Sequence, residues 1–243
     1  MSKDELFATP QADVSGFEFD TAVADVFPDM IKRSVPGYAS AVAMSGFLAQ
    51  RFAKPGTRLY DLGCSLGATS LSMAKALGPD QQGCEVIGVD NSAAMLDKAR
   101  DLMAGNSEHV NVSMVCADIN DVDLSNASVV ALNYTLQFID TAQREVLLRR
   151  LAGGMNPGGV LILSEKIAFD DEELADLFSD LHHDFKRSKG YSDLEISQKR
   201  AALENVLLPE TLEVHKQRLH SAGFARVELW FQCLNFASLV AFK

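Results

Sequence analysis

A regular alternation of strand-like and helix-like segments restricts the fold more than any other feature of the sequence. Short apolar segments end in glycine, aspartate or asparagine, and amphipathic segments follow them. The predicted strands are residues 57–62, 84–89, 111–116, 128–132 and 160–164, and the predicted helices between them are 68–77, 93–103 and 141–151. This alternation predicts a parallel sheet that is covered by helices on both faces.

The last part of the chain predicts two more strands. A helix at 213–222 precedes strands at 226–233 and 236–242. The connection at Leu234-Asn235 is too short for the crossover that parallel strands need, so these two strands should pair antiparallel. The sequence therefore predicts an α/β fold, with a mostly parallel, seven-stranded, Rossmann-like sheet that ends in an antiparallel hairpin.

We expect one domain, 1–243, with four parts. These are an N-terminal helical cap at 1–55, a nucleotide-binding core sheet at 56–168, a helical insertion at 169–210, and a last helix with the hairpin at 211–243. The cap should contain helical segments over 17–51 that are broken at Pro28 and Pro36, and it should form a lid over the carboxyl ends of the strands.

The segment YDLGCSLGATS, residues 60–70, permits two interpretations. Its G-x-S-x-G pattern matches the nucleophile elbow of serine hydrolases, with Ser65 as the nucleophile. That elbow would need an oxyanion loop from an earlier strand and a histidine after a late strand end, and the sequence predicts neither. The alternative is a cofactor loop, in which an acid and a glycine-rich turn open a helix. We favour this loop, in which Ser65 holds a ligand and does not attack.

Acids at the ends of three successive predicted strands support the cofactor loop. Asp90 follows the second strand, where a nucleotide fold places an acceptor for ribose hydroxyls, and Asp118 follows the third, where it could accept from an adenine amino group. The pyrophosphate loop G-x-G-x-x-G and the P-loop lysine are both missing. An acidic loop without phosphate ligands indicates a cationic nucleoside, namely S-adenosylmethionine.

Composition and charge narrow the possible partners. A net charge of −11 without a basic stripe disfavours direct binding of nucleic acid. No apolar run reaches the roughly 18 residues of a membrane span, and the first residues do not resemble an export signal. The four cysteines have no C-x-x-C spacing, which favours buried free thiols in a reducing cytoplasm over disulfides or zinc.

Several polar clusters in the helical insertion have ordinary explanations. The basic run 186–189 is expected to be a solvated turn, and the acids at 170–173 a solvated helix start. His182 and His183 are adjacent on a helix and point about 100° apart, so they should not share a metal ion. No metal is expected.

Arg200 has a less ordinary position. Ser192 and Glu195 form a capping-box pattern, and the helix that they begin should end near Pro209. On that helix Arg200 lies on an apolar stripe with Ile196, Leu203 and Leu207. Its guanidinium could extend to solvent or to Glu204, or it could bind an anion.

The motif residues resemble class I methyltransferases. Asp61 to Gly67 matches the first motif, Asp90 the ribose acid, and NPGG at 156–159 the late turn. Longer blocks resemble the carboxy-S-adenosylmethionine synthases, from about residue 16 to the end of the chain: VFPDMIKRSVPGY, YDLGCSLGATS, LNYTLQF, HHDFKR with GYSDLEISQKR, and ELWFQCLNF. The stretches near 78–83 and 104–110 depart from the family and are expected to be loops outside the site.

This resemblance implies a homodimer that converts S-adenosylmethionine and prephenate to carboxy-S-adenosylmethionine and phenylpyruvate. It implies that hydroxide lost from prephenate removes a proton from the sulfonium methyl, which then captures carbon dioxide, so that no dedicated protein base is needed and water must be excluded. A separate enzyme would use the product on tRNA. The implied cofactor-site residues are Tyr38, Gly63, Cys64, Ser65, Asp90, Asn91, Asp118, Ile119, Asn133 and Arg200. Our hypothesis is that Arg200, from its own chain or from the other subunit, stabilises the product carboxylate.

Two other functions remain open from the residues alone. They are an ordinary small-molecule methyltransferase and a non-catalytic nucleotide-binding module. The product formed with prephenate would distinguish the first from a carboxy-transfer enzyme, and absence of any S-adenosylmethionine chemistry would leave the second.

Overall fold

The computed structural model describes residues 2–11, 16–103 and 110–243. Its centre is a mixed sheet in the order β3-β2-β1-β4-β5-β8-β7, with a short strand β6 beside β5. The strands are β1 Arg58–Leu62, β2 Glu85–Asp90, β3 Asn111–Cys116, β4 Ala127–Asn133, β5 Met155–Ala168, β6 Glu210–Thr211, β7 Arg226–Cys233 and β8 Phe236–Phe242. Strands β1 to β5 pair parallel, and β8 pairs antiparallel with β5 and β7, which confirms the predicted fold.

Helices cover both faces of this sheet. They are α1 Thr21–Ser34, α2 Tyr38–Phe52, α3 Ala68–Ala76, α4 Ala93–Met103, α5 Thr141–Gly154, α6 Glu172–Ser188, α7 Asp193–Leu203 and α8 Leu212–Ser221. Successive strand residues pack on opposite faces: Tyr60 and Leu62 contact the α5 and α8 side, whereas Leu59 packs with Met73 of α3 on the other side. Because successive side chains of a strand point to opposite faces, alternate residues of each strand pack in the apolar cores on the two sides of the sheet.

The N-terminal helices differ from the predicted pattern. Pro28 does not break α1, because the buried contacts of Phe27 and Met30 on either side of it offset the missing backbone hydrogen bond. The break at Pro36 is present, between α1 and α2. Helix α2 packs against the face of the sheet through residues such as Ala49. Helix α1 therefore contributes most of the lid over the carboxyl ends of the strands that was expected of both helices.

Two predicted boundaries also move, and one short strand was not predicted. The NPGG turn lies within β5 as a bulge, since Met155 pairs with Ala127 and Val160 with Val129. Helix α7 ends at Leu203, short of Pro209, and β6 pairs with β5, a pairing too short to give a sequence signal. Of the predicted loop 104–110, residues 104–109 lie outside the described residues.

The structure also shows how far each cysteine is buried and whether any helix could span a membrane. Cys64 and Cys84 are buried as expected, Cys233 is half-buried, and Cys116 is exposed, because it lies at the end of the edge strand β3. Within the described ranges, no helix has the length and apolar character that crossing a bilayer requires.

Candidate cofactor and substrate site

A cavity of about 390 Å³ lies beyond the carboxyl ends of the parallel strands, between the sheet and helices α1, α6 and α7. This is where open α/β sheets bind ligands. Of the ten residues predicted for the cofactor site, all except Arg200 line it: Tyr38, Gly63, Cys64, Ser65, Asp90, Asn91, Asp118, Ile119 and Asn133. The structure therefore brings these nine predicted residues together around one cavity.

The loop after β1 is held in a conformation that brings its backbone to the cavity. Gly63 has φ +73°, and a Cβ added there would lie 2.4 Å from the Thr135 side chain, so only glycine fits. The backbone N–H groups of Gly63 and Cys64 donate to the Val89 carbonyl at 2.8 and 3.0 Å. Ser65 has φ +49°, and none of the described histidines hydrogen-bonds its side chain. The geometry is that of a holding loop and lacks the partner of a serine nucleophile.

Two buried carboxylates give this end of the cavity a negative character. Asp61 is 2% exposed, and its Oδ2 accepts hydrogen bonds from the backbone N–H and the hydroxyl of Ser70 at 2.8 and 2.7 Å. Burial raises the pKa of Asp61 to about 6 and also raises the pKa of Asp90. In the described part of the chain neither forms an ion pair with a lysine or arginine. Both carboxylates are thus available to a cationic ligand.

Asn133 and Asp118 occupy the rest of this end. The Asn133 amide donates to Ser45 and Thr69 and accepts from the Ser164 hydroxyl at 2.7 Å, so its orientation is fixed by three partners. Asp118 lies at the exposed rim, and its Oδ1 accepts from the backbone and side chain of Asn120. The glycine-only backbone, the unpaired carboxylates and the oriented amide suit S-adenosylmethionine.

The opposite wall of the cavity is basic, and the sequence did not predict it. Lys166 of β5, Lys186 of α6 and Lys199 of α7 all line the cavity. The expectation that residues 186–189 form a solvated turn is wrong for Lys186, which is only 8% exposed because α6 continues to Ser188. Burial, together with the charges of Lys166 and Lys199, lowers the pKa of Lys186 to about 7.

His182 lies on the same face of α6 as Lys186, four residues away. Its Nε2 lies 2.8 Å from the Ser34 carbonyl oxygen, and its ring meets Phe236 edge to face. Burial lowers its pKa to about 3, so this histidine is neutral. The i, i+4 spacing of His182 and Lys186 is the one signal from which their common face could have been predicted.

Arg200 lies outside the cavity in this single chain. It is exposed on α7, whereas its neighbour Lys199 and the residue one turn later, Leu203, face inward. Its charge still contributes, after burial, to the lowered pKa of Lys166, so Arg200 lies near the basic wall. The predicted apolar stripe placed the wrong residue inward, because Lys199 turns into the cavity in its place.

Fold and site together define a class I S-adenosylmethionine-dependent methyltransferase architecture. A family model described as "Methyltransferase domain" matches residues 59–159. A magnesium protoporphyrin IX methyltransferase from Synechocystis PCC 6803 with bound SAH has the same fold, with a TM-score of 0.60 and 18% identity over 88% of this chain and 87% of the other. A putative S-adenosyl-L-methionine-dependent methyltransferase from Methanococcus maripaludis has a TM-score of 0.59 and 18% identity over 95% and 96%.

Relatives with similar sequences identify the family within this fold. The carboxy-S-adenosyl-L-methionine synthase of Aliivibrio fischeri strain ES114 is 54% identical over 99% of this chain and 98% of its own length. That of Trichlorobacter lovleyi is 56% identical over 99% and 98%. The chain belongs to the carboxy-S-adenosyl-L-methionine synthase family of enzymes. In the part of the chain that the structure describes, no three potential metal ligands cluster.

Proposed function

We propose that this protein converts S-adenosylmethionine and prephenate to carboxy-S-adenosylmethionine and phenylpyruvate. The observation that supports it best is a cavity with opposite charges at its two ends, the carboxylates of Asp61 and Asp90 at one and the ammonium groups of Lys166 and Lys186 at the other. The acidic end suits the cationic sulfonium donor S-adenosylmethionine. The basic end suits the carboxylates of an anionic second substrate.

The proposed reaction balances in atoms and charge. Prephenate loses its ring carboxylate as carbon dioxide and its ring hydroxyl as hydroxide, which leaves phenylpyruvate. The hydroxide removes a proton from the sulfonium methyl and becomes water, and the methyl carbon forms a bond to the carbon dioxide. The chain's part is to hold both substrates, orient them and exclude bulk water.

The apolar walls of the cavity support this division of labour. Phenylalanine and isoleucine side chains also line the cavity, and they belong to the N-terminal segment, α1 and the segment after β4: Phe17, Phe19, Phe27, Ile31, Phe138 and Ile139. Such walls leave little for water to bind, which preserves carbon dioxide and a carbanion long enough to combine.

We further propose a homodimer that works in the cytoplasm and supplies its product to a separate enzyme, which uses it for 5-oxyacetyl uridine at the tRNA wobble position. Helix α6 carries an unpartnered apolar stripe, since Leu174, Leu177 and Leu181 are 44, 50 and 39% exposed at helical spacing. A second copy of the chain would cover it. The free thiols and the charge of −11 fit a reducing compartment and an enzyme that does not hold RNA itself.

A labelled substrate tests the proposed reaction. Purified protein is incubated with S-adenosylmethionine and prephenate whose ring carboxyl carries carbon-13. The product should be heavier than S-adenosylmethionine by about 44 Da plus the label, roughly one carbon dioxide. Methyl loss to S-adenosylhomocysteine would instead favour an ordinary methyltransferase, and no change in the cofactor would favour a binding module.

A further inference from the structure

Among the residues that the structure describes, two ammonium groups in the cavity have no anionic partner. Lys199 donates to the Asp4 carboxylate at 3.3 Å and to the Ser34 hydroxyl at 3.1 Å. The Nζ atoms of Lys166 and Lys186 have no hydrogen-bond or ion-pair partner within residues 2–11, 16–103 and 110–243. Of the three, only Lys199 therefore has a structural role that accounts for its charge.

An unpaired buried cation is unfavourable for folding. Lys186 is 8% exposed, and the charged groups that act on its pKa are other cations, namely Lys166 of β5 and Lys199 and Arg200 of α7. His182 and His183 of its own helix add no negative charge. Removing a charge from water without a counter-ion costs several kcal/mol in a protein interior, so the ammonium form of Lys186 needs an anionic ligand to compensate for its burial.

The two lysines are held in place by rigid elements. The backbone N–H of Lys166 donates to Oε1 of Gln137 at 2.9 Å, which fixes the end of β5. Lys186 extends from the last turn of α6, one turn after His182, whose ring is fixed by Ser34 and Phe236. Ammonium groups from two separate elements thus face one volume before any ligand binds, as a preformed anion site requires.

The proposed substrate carries two carboxylates, and they differ in fate. One leaves as neutral carbon dioxide, so a cation bound to it would stabilise the very charge that the reaction must remove. The other stays ionised from substrate to product. A strong cationic site therefore favours substrate binding without opposing the reaction only if it holds the carboxylate that stays ionised.

We propose that Lys186, with Lys166 beside it, is the receptor for the carboxylate that the second substrate retains through the reaction. The departing carboxylate is then left to the uncharged walls of the cavity. This assignment rests on the proposed function, and it makes the 2-oxo acid product a ligand of the same two lysines.

Phenylpyruvate is the direct probe, because its binding requires no turnover. Calorimetry with the full chain should give an affinity for phenylpyruvate at least about tenfold weaker in Lys186→Met than in the wild type, as for a lost bond to a charged group. The prephenate KM should rise by a similar factor, while the affinity for S-adenosylmethionine stays unchanged. Lys186→Arg should recover part of the loss.

Lys189→Met is the matched control, because Lys189 directly follows α6, is exposed and does not line this cavity. It should bind all three ligands as the wild type does. A folded Lys186→Met protein with wild-type affinity for phenylpyruvate and wild-type KM for prephenate would overturn the proposed role of Lys186 as the carboxylate receptor. Failure of the proposed function is a separate result, because there the wild type itself would yield no carboxylated product.

Discussion

The carboxylate of Asp90 accepts a hydrogen bond of 2.8 Å from the backbone N–H of Ser65. The end of β2 therefore fixes the loop that follows β1. The other carboxylate oxygen accepts from the backbone N–H of Ser92 at 2.9 Å, so the group is oriented before a ligand arrives. Each oxygen keeps a lone pair for a further donor, which is what a pair of ribose hydroxyls supplies.

Asp90→Ala should reduce the affinity for S-adenosylmethionine about tenfold or more, because hydrogen bonds to a charged acceptor are worth roughly 1.5 to 3 kcal/mol. The fold should remain intact. Calorimetric titration measures the change, with Asp97→Ala as a control, since Asp97 is exposed on α4 and pairs with Arg100. Equal affinities in the wild type and a folded Asp90→Ala protein would exclude the ribose role.

Gly63→Ala should destabilise the protein more than Gly56→Ala. Both glycines have positive φ, +73° and +70°, so the backbone strain of alanine is similar at the two positions. Only at Gly63 would the new Cβ collide with Thr135, whereas nothing lies within 4 Å at Gly56. We expect a difference of about 1 to 3 kcal/mol in the free energy of unfolding, measured by urea titration. Equal losses would mean that the loop can move away from Thr135.

Lys186→Met should make the unliganded protein more stable, by about 1 to 4 kcal/mol at neutral pH, because it removes an unpaired buried charge. The gain has a defined pH dependence. The pKa of Lys186 is about 7 in the folded chain and 10.5 ordinarily, so between these values the unfolded state binds more protons and wild-type stability rises with pH. The advantage of Lys186→Met should be full below pH 7 and shrink towards pH 10. Denaturant titrations at pH 6.5 and 9.5 measure this, and an advantage that grows with pH would contradict it.

Arg200→Ala tests whether Arg200 stabilises the product carboxylate in the assembled protein, from its own chain or from the partner subunit. The variant should lose about 2 to 5 kcal/mol of binding free energy for carboxy-S-adenosylmethionine and little for S-adenosylmethionine. Arg187→Ala is the control, since Arg187 is exposed and pairs with Asp184 and Asp193 at 2.8 Å. An equal loss for the two ligands would refute the role.

The protein should have no appreciable affinity for tRNA at physiological salt. Its net charge is −11, and the buried Lys166 and Lys186 face a cavity, where an RNA backbone does not reach. Gel-shift titration with tRNA tests this expectation. Micromolar binding that weakens as salt is added would reveal a basic surface formed in the fold or in a dimer.

The sequence determined the sheet and one end of the site. Strand positions, the antiparallel hairpin and the loop after β1 follow from short-range signals, because a two-residue period, a glycine turn and a strand-end acid each act within a few residues. Strand ends of a parallel sheet meet at one edge, so aspartates at successive strand ends imply a common site without further information.

The tertiary structure alone decided the basic end. Lys166, Lys186 and Lys199 lie on three elements, and each follows an ordinary local pattern that predicts exposure. Whether Lys199 or Arg200 turns inward depends on the rotation of α7 about its axis, and neighbouring residues differ by about 100°. That rotation is set by packing between elements far apart in the chain, such as the contacts of Lys199 with Asp4 and Ser34, and no local pattern in the sequence encodes contacts of that range.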